Sequence, residues 1–398
     1  MKYNTISQQA EAAWKRVWDG FFCRKTNLFY EFPSDLLEYL PTPEEIAQCK
    51  PNRTGWNAGM EDGSINAGIM MEAVLYRYEV THDASMGEYA KSIFEGIKLC
   101  STTSPVKGFL IRAVSPKDGK SHYPVTSRDQ YTHVIQGLLK FYHSSLSTRE
   151  DKEAIREILS SYADFIEETT TLETDYTFPS DDGGPSCGIC KLWNRNSWAD
   201  ARFPIYFAAA WDVTRKEKYK ELFLKYAEEA VDRTLKMPVF PVEGFLQYQI
   251  QISLEIIRNI SFELFPKLPQ KCERAMKMIA DQGTYYALHT TRDEFIDAEF
   301  CKPWEDWRKA KDFYGEPPFR IPLRDSAIKR PFELMRNGMD PYIIQCMTPG
   351  WKISEFLLRL FKERFLSIDF ETIASSGVIY AVAAYWTLCA SGYDFELK

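Results

Sequence analysis

Three stretches of this chain carry apolar residues at helical spacing with one wet face. Met86, Tyr89, Ala90, Ile93, Phe94 and Ile97 form the first. Ile155, Ile158, Leu159, Tyr162 and Ile166 form the second; Tyr219, Leu222, Phe223, Tyr226, Ala227, Ala230 and Val231 form the third. Each follows the i, i+3, i+4, i+7 rule, which predicts an amphipathic helix with one buried stripe. The segment before each is different: Ile65–Val80, Tyr131–Tyr142 and Phe203–Val213 are apolar around most of their circumference. Such helices are enclosed by protein on several sides. Gly377–Ala390 is the extreme case, too short for a membrane span of about 20 residues.

A carboxylate precedes each enclosed segment: Asp62, then Asp129, then Asp200, at steps of 67 and 71 residues. Alternating enclosed and half-exposed helices in a repeat imply two concentric rings. Tetratricopeptide and HEAT-type solenoids repeat at about 34 to 47 residues, so these steps leave long loops between pairs. Long loops in compact domains are usually functional, and here they line one end of the ring.

Counting completes the ring. Inner helices are expected to begin near Ser64, Asp129, Trp198, Glu243, Pro331 and Thr372, and outer helices near Ser7, Ser85, Glu150, Arg215, Pro269 and Lys352. The N-terminal helix (Ala13, Trp14, Val17, Trp18, Phe21) closes against the C-terminal one. The expected fold is therefore all-α, an (α/α)6 toroid, with residues 1–398 as one domain. Residues 284–330, with Trp304, Trp307, Phe313, Tyr314, Pro317 and Pro318, read as an elaborated loop.

Composition narrows the chemistry. A net charge of −7 with no Lys/Arg cluster speaks against a nucleic-acid partner. Ten Trp and 22 Tyr suit stacking on sugar rings. Of nine cysteines, Cys187 and Cys190 are the one close pair, with no second half to complete a zinc site. They sit in a Gly/Pro loop rather than between a strand and a helix, so they read as spare thiols. Phosphate-binding glycine motifs and an Asp-Asp-x-x-Asp metal motif are absent, and no cofactor is expected. The N-terminus shows no apolar core of a signal peptide, so the expected location is cytoplasmic, or periplasmic if a leader has been removed. No membrane partner is expected, and oligomeric state is left open.

Two helix entrances carry a resemblance. Glu61-Asp62-Gly63 before an apolar helix that ends Tyr76-Arg77-Tyr78-Glu79-Val80-Thr81-His82-Asp83, and Ser127-Arg128-Asp129-Gln130 before the next, resemble the six-hairpin glycosidase superfamily. Within it the unsaturated glucuronyl and rhamnogalacturonyl hydrolases are nearest. That resemblance implies two aspartates at successive inner-helix mouths, Asp129 exchanging the proton and Asp62 assisting. It implies a glycoside hydrolase acting on an acidic or deoxy sugar in an oligosaccharide.

The chemistry supports the pattern independently. Glycosidic cleavage needs one protonated and one ionised carboxyl about 5 to 9.5 Å apart. Arginines such as Arg112, Arg128, Arg195 and Arg202 would hold a neighbour charged or meet an acidic substrate. The structural alternative is that Asp at a helix start is simply an N-cap. Glu61 can replace Asp62 as the acid, and Glu243 stands at the fourth entrance. His122 and His133 flank Asp129, and Trp56, Tyr123, Tyr131, Trp193 and Trp198 lie in or near the loops as candidate sugar platforms. Two further functions fit: a polysaccharide lyase on the same toroid, with Tyr123 or His122 as base and Asn194 neutralising the uronate, and a non-catalytic glycan-binding toroid.

Overall fold

The computed structural model describes residues 5–238, 242, 244–289, 306–323, 329–371 and 373–395. Among them, twelve helices build two rings. The inner helices are α2 (Gly63–Thr81), α4 (Arg128–His143), α6 (Ile205–Thr214), α8 (Gly244–Ser261), α10 (Lys329–Met347) and α12 (Ser375–Ala390). The outer ones are α1 (Ile6–Arg16), α3 (Met86–Thr102), α5 (Arg149–Thr169), α7 (Glu217–Thr234), α9 (Leu268–His289) and α11 (Glu355–Ser367). Each inner helix packs on the next, and α12 packs back on α2, so the inner ring closes. The fold is an (α/α)6 toroid.

Enclosure follows composition. α12 is buried from Ser375 to Leu388, and α2 from Gly63 to Leu75. Both are apolar around most of their circumference, so nearly every face finds a neighbour. The outer helices bury a single stripe, as Ile155, Ile158, Leu159, Tyr162 and Ile166 do on α5. α1 seals the ring seam: Gln9 donates to the carbonyls of Phe365 and Ile368 at 3.3 and 2.6 Å, and α1 packs on α12.

Two expected boundaries need correction. The third inner helix starts at Ile205, not near Trp198; residues Ser197–Arg202 form a 3-10 turn instead. Pro204 stands at the N-cap position of α6 and has no backbone N–H with which to carry the hydrogen-bond ladder of the preceding turn into the helix. The presumed loop from 284 is helical as far as His289, because α9 continues through it. Residues 306–323 then form a 3-10 turn (Trp307–Lys309) and an antiparallel hairpin of β1 (Asp312–Tyr314) and β2 (Ile321–Leu323), with Tyr314 opposite Ile321. Trp304, Glu243 and Thr372 lie outside the described residues. No helix among the described residues is long and apolar enough to cross a membrane.

One helix contact positions the site. α2 and α4 approach until their backbones touch: a Cβ at Gly68 would lie 2.3 Å from the His133 carbonyl oxygen, and one at Gly137 would lie 3.0 Å from that of Gly68. No side chain fits between them, so glycine is required at the crossing. The N-termini of α2 and α4, which carry the two candidate acids, are thereby held side by side.

Candidate active site

Neither acid is an N-cap by its side chain. Asp62 stands at the N-cap position of α2 but makes no capping hydrogen bond. On α4 the cap is Ser127, which accepts from the Gln130 amide, leaving Asp129 in the first helical turn. Both carboxylates are thus free of the duty that composition alone would assign them.

Gln130 joins the two entrances. Its side-chain amide donates to the Glu61 carbonyl at 2.8 Å and to Asp62 Oδ1 at 3.2 Å, and its oxygen accepts from the Ile65 amide at 3.0 Å. Asp62 and Asp129 therefore share one rim of the ring, on adjacent inner helices. Each stands beside arginine. Arg112 Nη1 lies 3.8 Å from Asp62 Oδ1 and donates to the Glu61 carbonyl at 2.8 Å. Arg202 Nη1 donates to Asp129 Oδ1 at 2.8 Å and to Gln249 Oε1 at 2.7 Å, while Arg128 Nε lies 3.8 Å from Asp129.

Arg202 is 2 % exposed, and Asp129 and Asp62 each expose 19 % of the side chain. Burial, then the charge of Arg128, push Arg202 down to about 9, still charged at neutral pH. Tyr206, four residues on, keeps a buried hydroxyl without a hydrogen-bond partner among the described residues, within the electrostatic reach of Arg202, Arg128 and Asp129. Burial raises that phenol far above its ordinary range.

Other predicted site residues separate into three sets. Glu61 stays with Asp62; its Oε2 accepts from the Asn57 amide at 3.1 Å, and no ion pair reaches it among the described residues. Trp56, half-buried, lies 6.5 Å from Phe319, and Asn57 donates to the Pro322 carbonyl at 2.9 Å, so the β1–β2 hairpin stands beside this part of the mouth. Trp198 is half-buried in the 3-10 turn before Arg202.

The second set is core, and the platform role is corrected for it. Tyr131 is fully buried, its hydroxyl accepting from the Leu110 amide and donating to the Gly108 carbonyl, both at 2.9 Å. Tyr123 is buried with its hydroxyl donating to the Lys50 carbonyl. Trp193 packs inside Tyr176, Phe203 and Tyr226, under Arg233. His133 is fully buried against Tyr248, facing the ring interior below Asp129.

The third set is polar but turned elsewhere. Asp200 is buried and accepts from Arg233 at 2.6 Å and from the Asn194 amide at 3.2 Å; it fastens the loop to α7 instead of facing substrate. Burial raises its carboxyl despite Arg233. His122 Nε2 meets Asp181 Oδ2 at 2.8 Å and its Nδ1 meets the Lys120 carbonyl at 2.9 Å. Burial pulls that imidazole down, but Asp181 and the carbonyl outweigh it, so His122 is raised.

Gln130, Gln249 and Tyr206 were not foreseen. Gln130 adjoins Asp129 and was legible by proximity; Gln249 and Tyr206 come from α8 and α6 and are brought in by the ring. Among the described residues, no His, Cys, Asp and Glu group is arranged to hold a metal ion.

A cavity of about 700 Å³ opens at the other end of the ring, between the C-terminal halves of α2, α4 and α8. Tyr76, Gln136, Lys140 and Glu255 line it. Lys140 Nζ sits 2.7 Å from the buried Glu72 carboxylate and 3.8 Å from Glu255. Burial raises the Glu72 carboxyl even with Lys140 beside it.

No known family's sequence model matches the chain, and no curated protein matches it. Solved structures similar to it include the GH76A alpha-1,6-mannanase from Salegentibacter sp. HEL1_6, at 10% identity and a TM-score of 0.46, covering 97% of this chain and 99% of that one. Two inactive variants of that mannanase, in complex with alpha-1,6-mannotriose and alpha-1,6-mannotetrose, match at 12% and 11% identity. Their TM-scores are 0.38 and 0.39, over 84% and 85% of this chain and 99% of each of theirs.

Proposed function

We propose that this protein is a glycoside hydrolase that cleaves an oligosaccharide at the α2/α4 mouth, with Asp129 and Asp62 as the reacting pair. The observation that carries this reading is two partly exposed carboxylates on adjacent inner helices, each beside arginine and bridged by Gln130. The two environments differ. Asp129 is hydrogen-bonded at 2.8 Å to a buried guanidinium. Asp62 has its arginine at 3.8 Å, accepts from Gln130 at 3.2 Å and has Glu61 beside it. Trp56 and Phe319 offer apolar faces to a sugar ring on the Asp62 side.

A neutral or deoxy sugar fits better than a uronate. Arg112 is committed to the carbonyls of Glu61 and Val125, Arg128 to those of Gly188 and Lys191, and Arg202 to Asp129 and Gln249. These bonds take up the Nη1 atom of all three and the Nε of Arg112 and Arg202, so a substrate carboxylate would have to compete with them for a bidentate approach. Hydrolysis is also favoured over elimination. Tyr123 is buried and raised by burial, His122 is raised beside Asp181, and Asn194 is bonded to Arg233, so none of the three suits a lyase site.

A panel of neutral and acidic oligosaccharides, read by release of reducing ends, tests the proposal. Asp129→Asn and Asp62→Asn are expected to fold and to lose about 100-fold or more in rate. Full activity in either variant removes that residue from the mechanism. Binding by titration calorimetry with no turnover across the panel would favour a glycan-binding toroid.

A further inference from the structure

The Cys187-Gly188-Ile189-Cys190 segment is folded into a single 3-10 turn, Gly188–Cys190, with Cys187 at its N-cap and the Cys190 amide donating to the Cys187 carbonyl at 2.8 Å. The two cysteines differ in access. Cys187 is half-buried, whereas Cys190 is 1 % exposed and donates through Sγ to the Thr126 carbonyl at 3.4 Å. The surroundings are cationic. Arg195 lies across the turn so closely that a Cβ at Gly188 would meet its Nη1 at 2.3 Å, and Arg128 Nη1 donates to the Gly188 carbonyl at 3.1 Å.

We propose that Cys187 and Cys190 are a redox-active dithiol, oxidised by small-molecule disulfides, with Cys187 as the attacking sulfur and Cys190 as the resolving one. An attacking thiol must be reachable and partly ionised, while a resolving thiol needs only to be adjacent. The Cys190 thiol first, then the Ile189 amide and the charges of Arg112 and Arg195, draw Cys187 down to about 7 against its desolvation. Burial pushes Cys49, Cys100, Cys272, Cys346 and Cys389 the other way. Its access to solvent, its place at the head of the turn and the Arg195 guanidinium across it set Cys187 apart as the nucleophile.

The step balances. The Cys187 thiolate attacks one sulfur of the external disulfide, whose S–S bond breaks and releases one thiolate that takes up a proton. Cys190 then gives its proton to solvent and attacks the Cys187 sulfur, expelling the second thiolate. Two protein thiols are oxidised, and one external disulfide is reduced to two thiols.

Oxidation reaches the mouth through the same turn. Cys190 gives up its hydrogen bond to the Thr126 carbonyl, just ahead of Ser127, Arg128 and Asp129. The carbonyls of Gly188 and Lys191 that hold Arg128, 3.8 Å from Asp129, belong to the turn that must repack. This inference stands whether or not the mouth hydrolyses glycosides.

The test is oxidised glutathione added to the folded full-length protein at neutral pH, with alkylation of remaining thiols and peptide mass spectrometry. The expected product is an internal Cys187–Cys190 disulfide, formed about tenfold faster than any modification of Cys23 or Cys49. Cys190→Ser is expected to trap glutathione on Cys187, and Cys187→Ser to leave Cys190 unmodified. Equal rates at Cys187 and Cys23 would overturn the proposal, as would a native protein that stops at the mixed disulfide. These native-protein rates decide the matter even if the Cys190→Ser variant does not fold.

Discussion

Arg202 Nη1 donates to Asp129 Oδ1 at 2.8 Å across the mouth of the ring, and the two partners are unequally buried. The guanidinium is sealed in protein, while the carboxylate reaches solvent. Removing one end is therefore not equivalent to removing the other. Asp129→Ala leaves a buried cation with Gln249 and the Ala199 carbonyl, and is expected to cost about 3 kcal/mol. Arg202→Met removes a desolvated charge and leaves a carboxylate that water can reach, and is expected to cost less than about 2 kcal/mol. Urea denaturation of both variants checks the order, and a larger loss in Arg202→Met would contradict it.

Asp200 is expected to act on stability and not on substrate. It is buried, and it ties the Asn194 amide to Arg233 on α7. Because Arg233 keeps some solvent, Asp200→Ala should cost about 3 kcal/mol, at the low end for a broken buried pair. Thermal melting reads the loss. An unchanged melting temperature together with a raised KM would instead return Asp200 to the site.

At the far end of the ring, Lys140 neutralises Glu72 from 2.7 Å. Lys140→Met strands a buried carboxylate and is expected to lower stability by about 3–5 kcal/mol. Glu72→Gln in the same chain should restore most of that loss, since the charge left without a partner is then gone. A double variant no more stable than Lys140→Met would show that packing, not charge, is what Lys140 supplies.

The glycine crossing of α2 and α4 leaves no room for a methyl group. Gly68→Ala forces a Cβ to within 2.3 Å of a backbone carbonyl that cannot rotate away. The expected result is a loss above about 3 kcal/mol or no soluble protein, since overpacking a tight core contact costs ~1–3 kcal/mol even where side chains can shift. Circular dichroism melting of Gly68→Ala against Gly137→Ala, whose nearest contact is 3.0 Å, should rank the first as worse.

His122 should make stability depend on pH in a definite direction. Its folded pKa is raised by Asp181, so the folded state binds the proton more tightly than the unfolded chain, where histidine titrates near about 6.5. The contribution is complete below the unfolded value and is lost as pH rises through the folded one. The stability gap between native protein and His122→Gln is therefore expected to be wide at about pH 5.5 and to shrink by about pH 8.5. A gap that widened with pH would reverse the assignment.

Periodicity in the sequence determined the rings. Enclosed segments such as Ile65–Val80 and half-exposed ones such as those from Met86 and Ile155 report their surroundings directly, because an all-apolar helix needs neighbours on every side and a striped one needs a single neighbour. The positions of Asp62 and Asp129 at helix starts were legible for the same reason. What each side chain does there was not. The cap on α4 falls to Ser127 two residues earlier, and Asp200, third in the same series, turns to Arg233 on an outer helix. Tyr131 and Trp193 have the composition of sugar platforms yet lie in the core. For Asp129 and Asp200 the outcome depends on partners far along the chain, Arg202 at 73 residues and Arg233 at 33, which only ring closure brings within hydrogen-bonding distance. Local pattern records how much of a helix is covered; which polar atom meets which is decided by the crossing of backbones at Gly68 and its neighbours.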